Sequence, residues 1–344
     1  VESGGFRCEN YATLKEGEMR NRIPFAIVLA LMVSSLALTG CGGGDEPTGP
    51  GNGGGGGGEG VLSWAVISPL SSPRWTMAVV VAGGKIYAIG GVDTLGAVVG
   101  DVEEWDPGTG NWTAKAPMNE PRTWATAQAV SGKIYVIGGR DTLGNYSDVV
   151  EQYDPSTNSW STRSSMSSAR AGMASGGVSG KIYVAGGYDG TANVNTMEEY
   201  DPTTNSWNLR APMTTARYDL CAGVSNSILV AVAGWTTTWS SVTEEYNAGG
   251  NAWTTKTPLA QGRDRAGAVG LGNYVFVVGG VTSAGRTADV QRYNQTNGTW
   301  SQSTPLSGAR YYLGVVTLND KLYAVGGVDG SNQTVGTVEE GTFQ

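Results

Sequence analysis

Any chemistry in this sequence has to proceed without histidine, because none of its 344 residues is one. That excludes Ser-His and Cys-His nucleophile pairs, and zinc or copper sites built on imidazole. The three cysteines are Cys8, Cys41 and Cys221. Cys221 has no base to activate it and reads as a small buried hydrophobe. The charged residues fall into two sets. One recurs: arginines at 74, 122, 170, 217, 263 and 310, and glutamates Glu103, Glu151, Glu198, Glu244 and Glu339, with Gln291 in the remaining copy. A ligand breaks a repeat's symmetry and a fold preserves it, so these are expected to fix strand register through ion pairs or hydrogen bonds.

The second set does not recur. Trp75, Trp124, Tyr218, Asp219, Asp264, Arg265, Tyr311 and Tyr312 follow the arginines, while Arg140, Tyr188 and Trp235 follow recurrent diglycines. Aromatic faces mixed with arginine and aspartate suit a sugar or a peptide, since rings stack on apolar faces and charged forks orient polar groups. The ligand-binding candidates are therefore Trp75, Trp124, Arg140, Tyr188, Tyr218, Trp235, Arg265, Tyr311 and Tyr312. Acid–base catalysis needs a carboxylate and an arginine outside the repeat, and only Asp219, Asp264 and Arg265 qualify. The competing reading makes several of these residues ordinary rim positions. Asp93, Asp141, Asp189 and Asp329 offer one carboxylate per loop, too little for a calcium site. No metal and no cofactor is expected.

The elements that position these residues repeat. Lys133-Ile134-Tyr135-Val136-Ile137-Gly138-Gly139 recurs at Lys85–Gly91, Lys181–Gly187, Asn273–Gly280 and Lys321–Gly327, with a degenerate copy at Ile228–Gly234. The closing glycines are spaced by 48, 48, 47, 46 and 47 residues. So are the tryptophans at 64, 112, 160, 207, 253 and 300. A fixed period near 50 with four short strands per unit predicts a propeller. A third strand ends in Trp105, Tyr153, Tyr200, Tyr246 or Tyr293, and a polar turn such as Asp154-Pro155-Ser156-Thr157-Asn158 leads to the next tryptophan. Trp64 precedes the first arginine, and the last copy stops before any tryptophan. The strand around Trp64 is therefore expected to join the C-terminal sheet as its fourth strand, removing two free edges.

The diglycine, the tyrosine about 14 residues later and the tryptophan about seven after that resemble the kelch repeat over residues 61–344. The resemblance implies an all-β, six-bladed propeller with four antiparallel strands per blade, whose post-arginine and post-diglycine loops open on one face. Two copies depart from it: the fourth has Ala233-Gly234 and an aromatic loop with Trp235 and Trp239, and the sixth has Gly341 in place of the tyrosine. Copper oxidases of the kelch class need imidazole, which this chain lacks. A six-bladed kelch enzyme of bacterial sialic-acid metabolism resembles the layout and makes a sugar mutarotase the alternative to a non-enzymatic recognition module. A structural envelope scaffold is a third reading. No sialidase-type Asp-box turn stands out.

The N-terminal segment is of another kind. Met19, the basic Arg20 and Arg22, the apolar run Phe25–Leu38 and Leu38-Thr39-Gly40-Cys41 read as an export signal over residues 19–40, too short for a comfortable membrane span. The last four residues resemble a bacterial lipobox, which implies lipidation of Cys41. Residues 1–18 precede the methionine that opens such a signal and are read as a leader outside the natural product. Residues 41–60 form a lipidated cysteine and glycine-rich tether with a reach of roughly 25 Å. The expected location is the bacterial envelope, anchored through Cys41, with the outer membrane favoured because Gly42 replaces the aspartate of an inner-membrane retention signal. With 22 basic against 30 acidic residues and a net charge of −8, nucleic acid is an unsuitable partner. The expected partner is a glycan or a protein.

Overall fold

The computed structural model describes residues 60–344. The leader, the export signal, Cys41 and all of the tether but Gly60 lie outside the described residues. Within them the chain is all-β: six four-stranded antiparallel sheets, with two small extra sheets where loops meet. Five of the sheets take their strands in chain order, as in the first: Ala78–Ala82, Lys85–Ile89, Val102–Asp106 and Asn111–Lys115. The opening strands (Ala78–Ala82, Thr126–Val130, Ala174–Val178, Cys221–Ser225, Gly267–Leu271 and Gly314–Leu318) are small or β-branched and almost wholly buried. Each touches the next in that order, and Gly314–Leu318 touches Ala78–Ala82. The last strands alternate exposed and half-buried residues, as expected of a strand with one solvent face.

The sixth sheet contains Leu62–Ile67. It pairs antiparallel with Val338–Phe343, aligning Trp64 with Gly341. In the first five sheets the same register aligns Trp105 with Trp112, and Tyr153, Tyr200, Tyr246 and Tyr293 with Trp160, Trp207, Trp253 and Trp300. Gly341 fits this scheme because a Cβ there would stand 2.9 Å from the Trp64 ring. Trp64 also hydrogen-bonds like its counterparts. Its indole donates to the Thr304 carbonyl at 3.0 Å, as Trp112 does to Ser68 (3.0 Å) and Trp160 to Ala116 (2.8 Å), a backbone group outside its own sheet each time.

The recurrent arginines are scaffold. Arg74, Arg122, Arg170, Arg217 and Arg310 pair with Glu103, Glu151, Glu198, Glu244 and Glu339 at 2.7–3.0 Å, all buried. Where Gln291 replaces the glutamate, Asp289 pairs with Arg263 at 2.5 Å and accepts a bond from the Gln291 amide at 2.9 Å. These guanidiniums also tie strands together, Arg122 donating to the Gly138 and Val149 carbonyls at 2.8 Å each. Burial draws the pKa of Arg217 down to about 10, with Glu244 opposing the shift. Removing one partner of such a pair would leave a buried charge uncompensated, which costs about 3–5 kcal/mol. Cys221 is fully buried, its thiol 3.6 Å from the Val232 carbonyl.

Candidate functional site

The antiparallel turn from first to second strand returns the chain to the end where it entered, so both variable positions of each repeat meet there. The residue after each arginine pairs with the residue after the diglycine: Trp75 with Val92, Thr123 with Arg140, Ala171 with Tyr188, Tyr218 with Trp235, Asp264 with Val281 and Tyr311 with Val328. One step further on, every repeat holds a left-handed residue. Thr76, Trp124, Gly172, Asp219, Arg265 and Tyr312 have φ between 49° and 65°. Only one is glycine, and the conformation costs of order 1–3 kcal/mol for the others. Hydrogen bonds from repeat to repeat hold part of this ring in place. The amides of Gly172, Asp219, Arg265 and Tyr312 donate to the carbonyls of Trp124, Gly172, Asp219 and Arg265 at 2.8–3.2 Å.

The side chains at this end form two connected groups. On repeats one and two, Trp75 meets Trp124 edge to face at 6.0 Å, and Arg140 lies 5.6 Å from the Trp124 ring and 5.1 Å from Tyr146. The aromatic series continues from Tyr146 through Tyr188 to Tyr218, with 5.7 Å between successive rings. On repeats four to six, Asp219, Asp264, Arg265 and Tyr312 converge. The Tyr312 hydroxyl donates to Asp219 Oδ2 at 3.2 Å, and Arg265 Nε stands 3.7 Å from Asp219 Oδ2 and 3.5 Å from Asp264 Oδ2. The Arg265 guanidinium also covers the Tyr312 ring at 5.0 Å, which returns to Trp75 at 6.5 Å. Gly172 leaves room for the cluster, since a Cβ there would sit 2.8 Å from Asp219 Oδ1.

Burial pushes the Asp219 carboxyl up to about 7 and the Asp264 carboxyl up to about 6, with Arg265 opposing both shifts. The two share one arginine. The Trp239 indole approaches Asp264 and favours its charged form without closing a well-formed hydrogen bond. A carboxyl that exchanges its proton near neutrality can serve as general acid or base.

All eleven residues singled out in the sequence stand at this end, but not as open aromatic faces. Trp75, Trp124, Tyr218, Tyr311 and Tyr312 are each at most 9% exposed, and Asp219 and Asp264 are equally enclosed. Trp75, Trp124, Tyr311 and Tyr312 pack with Val92, Ala171 and Val328 as a small apolar core. Arg140, Tyr188 and Trp235 are half-buried, and the Arg265 side chain is 17% exposed. Tyr146 went unrecognised because it matches no landmark of the repeat. Its only signal was proximity to the one charged residue directly after a diglycine. The loop aspartates cap their own turns, Asp93 accepting from the amides of Leu95 and Ala97 at 2.8 and 2.9 Å.

The sequence matches the attractin/LZTR1 β-propeller family over residues 62–249, and the kelch motif over 262–307 and 309–340. The chain belongs to this propeller family. Among solved structures it is similar to one titled "Structure of YjhT", with a TM-score of 0.69 and 19% identity, over 79% of this chain and 95% of that one. At that identity the likeness speaks for the kelch-type propeller fold alone. No curated protein matches the chain. The left-handed residues stand two positions after each recurrent arginine, just before the opening strand of each sheet.

Proposed function

We propose that this protein is a recognition module of the bacterial envelope, held there by lipid on Cys41, whose six-bladed propeller binds a glycan at the mouth without catalysis. The observation that carries the reading is the gathering, at one end, of the aromatic, arginine and aspartate side chains that break the repeat's symmetry. A scaffold alone has no need of that asymmetry. The cyclic contacts of the innermost strands and the pairing of Leu62–Ile67 with Val338–Phe343 support a ring closed by its N-terminal strand. A protein ligand is the rival outcome at the same mouth.

The test is thermal melting of the detergent-solubilised full chain against a panel of mono- and oligosaccharides. A ligand at about 100 times its Kd stabilises by roughly 2.7 kcal/mol, which raises Tm by several degrees in a domain of this size. The shift should disappear when Trp75 and Trp124 are both replaced by phenylalanine. No shift across the panel would reject the glycan and direct the search to envelope proteins.

One observation favours a second reading, a sugar mutarotase. Asp219 and Asp264 share Arg265 and exchange protons near neutral pH. Anomer exchange of a bound sugar, followed by NMR, separates the two readings. Acceleration that is lost in Asp219→Asn and Asp264→Asn would make the module an enzyme.

A further inference from the structure

The polar atoms around Trp124 are unevenly satisfied. The indole Nε1 of Trp75, the indole Nε1 of Trp124 and Nη1 of Arg140 are all buried atoms without a hydrogen-bonding partner in the protein. All three are donors, and none can accept. They belong to one group, since the two indole rings are 6.0 Å apart and Arg140 lies 5.6 Å from the Trp124 ring. Both tryptophans are more than nine-tenths buried. A buried donor left unmatched loses the water it had in the unfolded chain, so three in one place form a costly arrangement for a purely structural corner.

Arg140 is also unlike the recurrent buried arginines. Each recurrent arginine faces a carboxylate, whereas Arg140 forms no ion pair among the described residues. The nearest acid in sequence, Asp141, is committed to its own turn, accepting from the amides of Leu143 and Asn145 and from the Asn145 side chain at 2.8–2.9 Å. What holds Arg140 in place is neutral. Its Nε donates to the Gly144 carbonyl at 2.9 Å, and two aromatic rings flank it. Gly144 permits this pose, because a Cβ there would stand 3.0 Å from Arg140 Nη2. The guanidinium is thus oriented, partly desolvated and left with its charge unmatched. A planar fork of this kind pairs best with a carboxylate, through two parallel hydrogen bonds.

We propose that Arg140, Trp124 and Trp75 form a carboxylate subsite, and that the sugar taken by the mouth is an acidic one of the uronate type. This rests on the glycan reading above. The negative group sits on the first two blades because the fourth to sixth already hold two carboxylates against the single Arg265. An anion placed there would face them, whereas beside Arg140 it meets only donors.

Glucuronate and glucose, or galacturonate and galactose, differ at one carbon by a carboxylate and make a direct probe. Melting and calorimetric titration of the full chain in detergent should show uronate binding at least about tenfold tighter than its neutral partner. That preference should weaken as salt is raised. Arg140→Gln should erase it and leave the Tm of the unliganded protein within a few degrees. Trp124→Phe keeps the ring and removes the donor, so it should weaken uronate binding even if the arginine variant folds poorly. Arg286→Gln, whose guanidinium lies over Tyr311 at 5.4 Å, should change nothing. Equal binding of acid and neutral sugar, or a preference that survives Arg140→Gln, would overturn the subsite while leaving the glycan reading intact. No binding of either sugar in any pair would overturn both.

Discussion

Asp219 shows what a single residue at the mouth does to the whole protein. Its carboxyl is enclosed and its pKa raised to about 7, chiefly by burial. Between about pH 4 and 7 the folded state therefore holds a proton that the unfolded chain releases. Stability must fall as pH rises through that window. Groups with depressed values, such as Asp154 and Glu199 at about 2, act in the opposite sense and only below about pH 4.5. The two effects occupy separate windows. Calorimetry of the native protein should accordingly show Tm declining from pH 5 to pH 8. Asp219→Asn keeps an acceptor for the Tyr312 hydroxyl but has no charge to bury, so its curve should be flatter and lie above wild type at pH 8, by an effect of up to a few kcal/mol. A wild-type curve flat over this range would mean that Asp219 ionises freely and that its enclosure is incomplete.

The strand Leu62–Ile67 tests the architecture at the scale of an element. It was legible in the sequence because tryptophan spacing is a length measurement. Six tryptophans at a constant interval, with the first out of place and the last absent, leave one pairing that completes every sheet. The arginine and glutamate landmarks were legible for the same reason, and even the substitute Asp289 is explained by the loss of glutamate at Gln291. The mouth was only half legible. Spacing brings Asp219, Asp264 and Arg265 to one end, but the direction of each side chain depends on a left-handed residue two positions after the arginine. Thr76, Trp124 and Tyr312 carry no compositional sign of that conformation. Hence the aromatic residues were expected as open faces, whereas the turn folds most of them into a core. The element's own test is deletion of residues 61–70. It removes the edge strand of the sixth sheet and the Trp64 bond to Thr304, exposing the edge at Val338–Phe343. Melting should fall by well over 10 °C and aggregation should increase, whereas Trp64→Phe, which loses one hydrogen bond at a net cost of about 1 kcal/mol, should lower Tm by only a few degrees. A near-native melt for the deletion would show that the ring does not need this strand.

At the scale of the whole molecule, the fold and the N-terminal segment make separate contributions that have to be consistent with each other. Six sheets with extensively buried strands need no disulfide, and Cys221 is the only cysteine among the described residues, buried and unpaired. Envelope residence therefore imposes no crosslink on this domain, whose large core supplies stability without it. No helix of the described residues is long and apolar enough to cross a membrane, and the net charge of −8 on the whole chain opposes adsorption to anionic lipid. The proposed anchor at Cys41 would supply attachment, and a tether of the composition read over residues 41–60 would let the mouth reach ligand roughly 25 Å away from the surface. Expression of the full chain in a bacterium should then place it in the membrane fraction and in the detergent phase on phase separation. Cys41→Ser should shift it to the aqueous phase with an unchanged melting curve, because the first strand of the described sheets begins only at Leu62. If Cys41→Ser remains with the membrane, attachment comes from the uncleaved apolar run or from a surface of the propeller, and the mouth would then have to be sought facing the lipid rather than away from it.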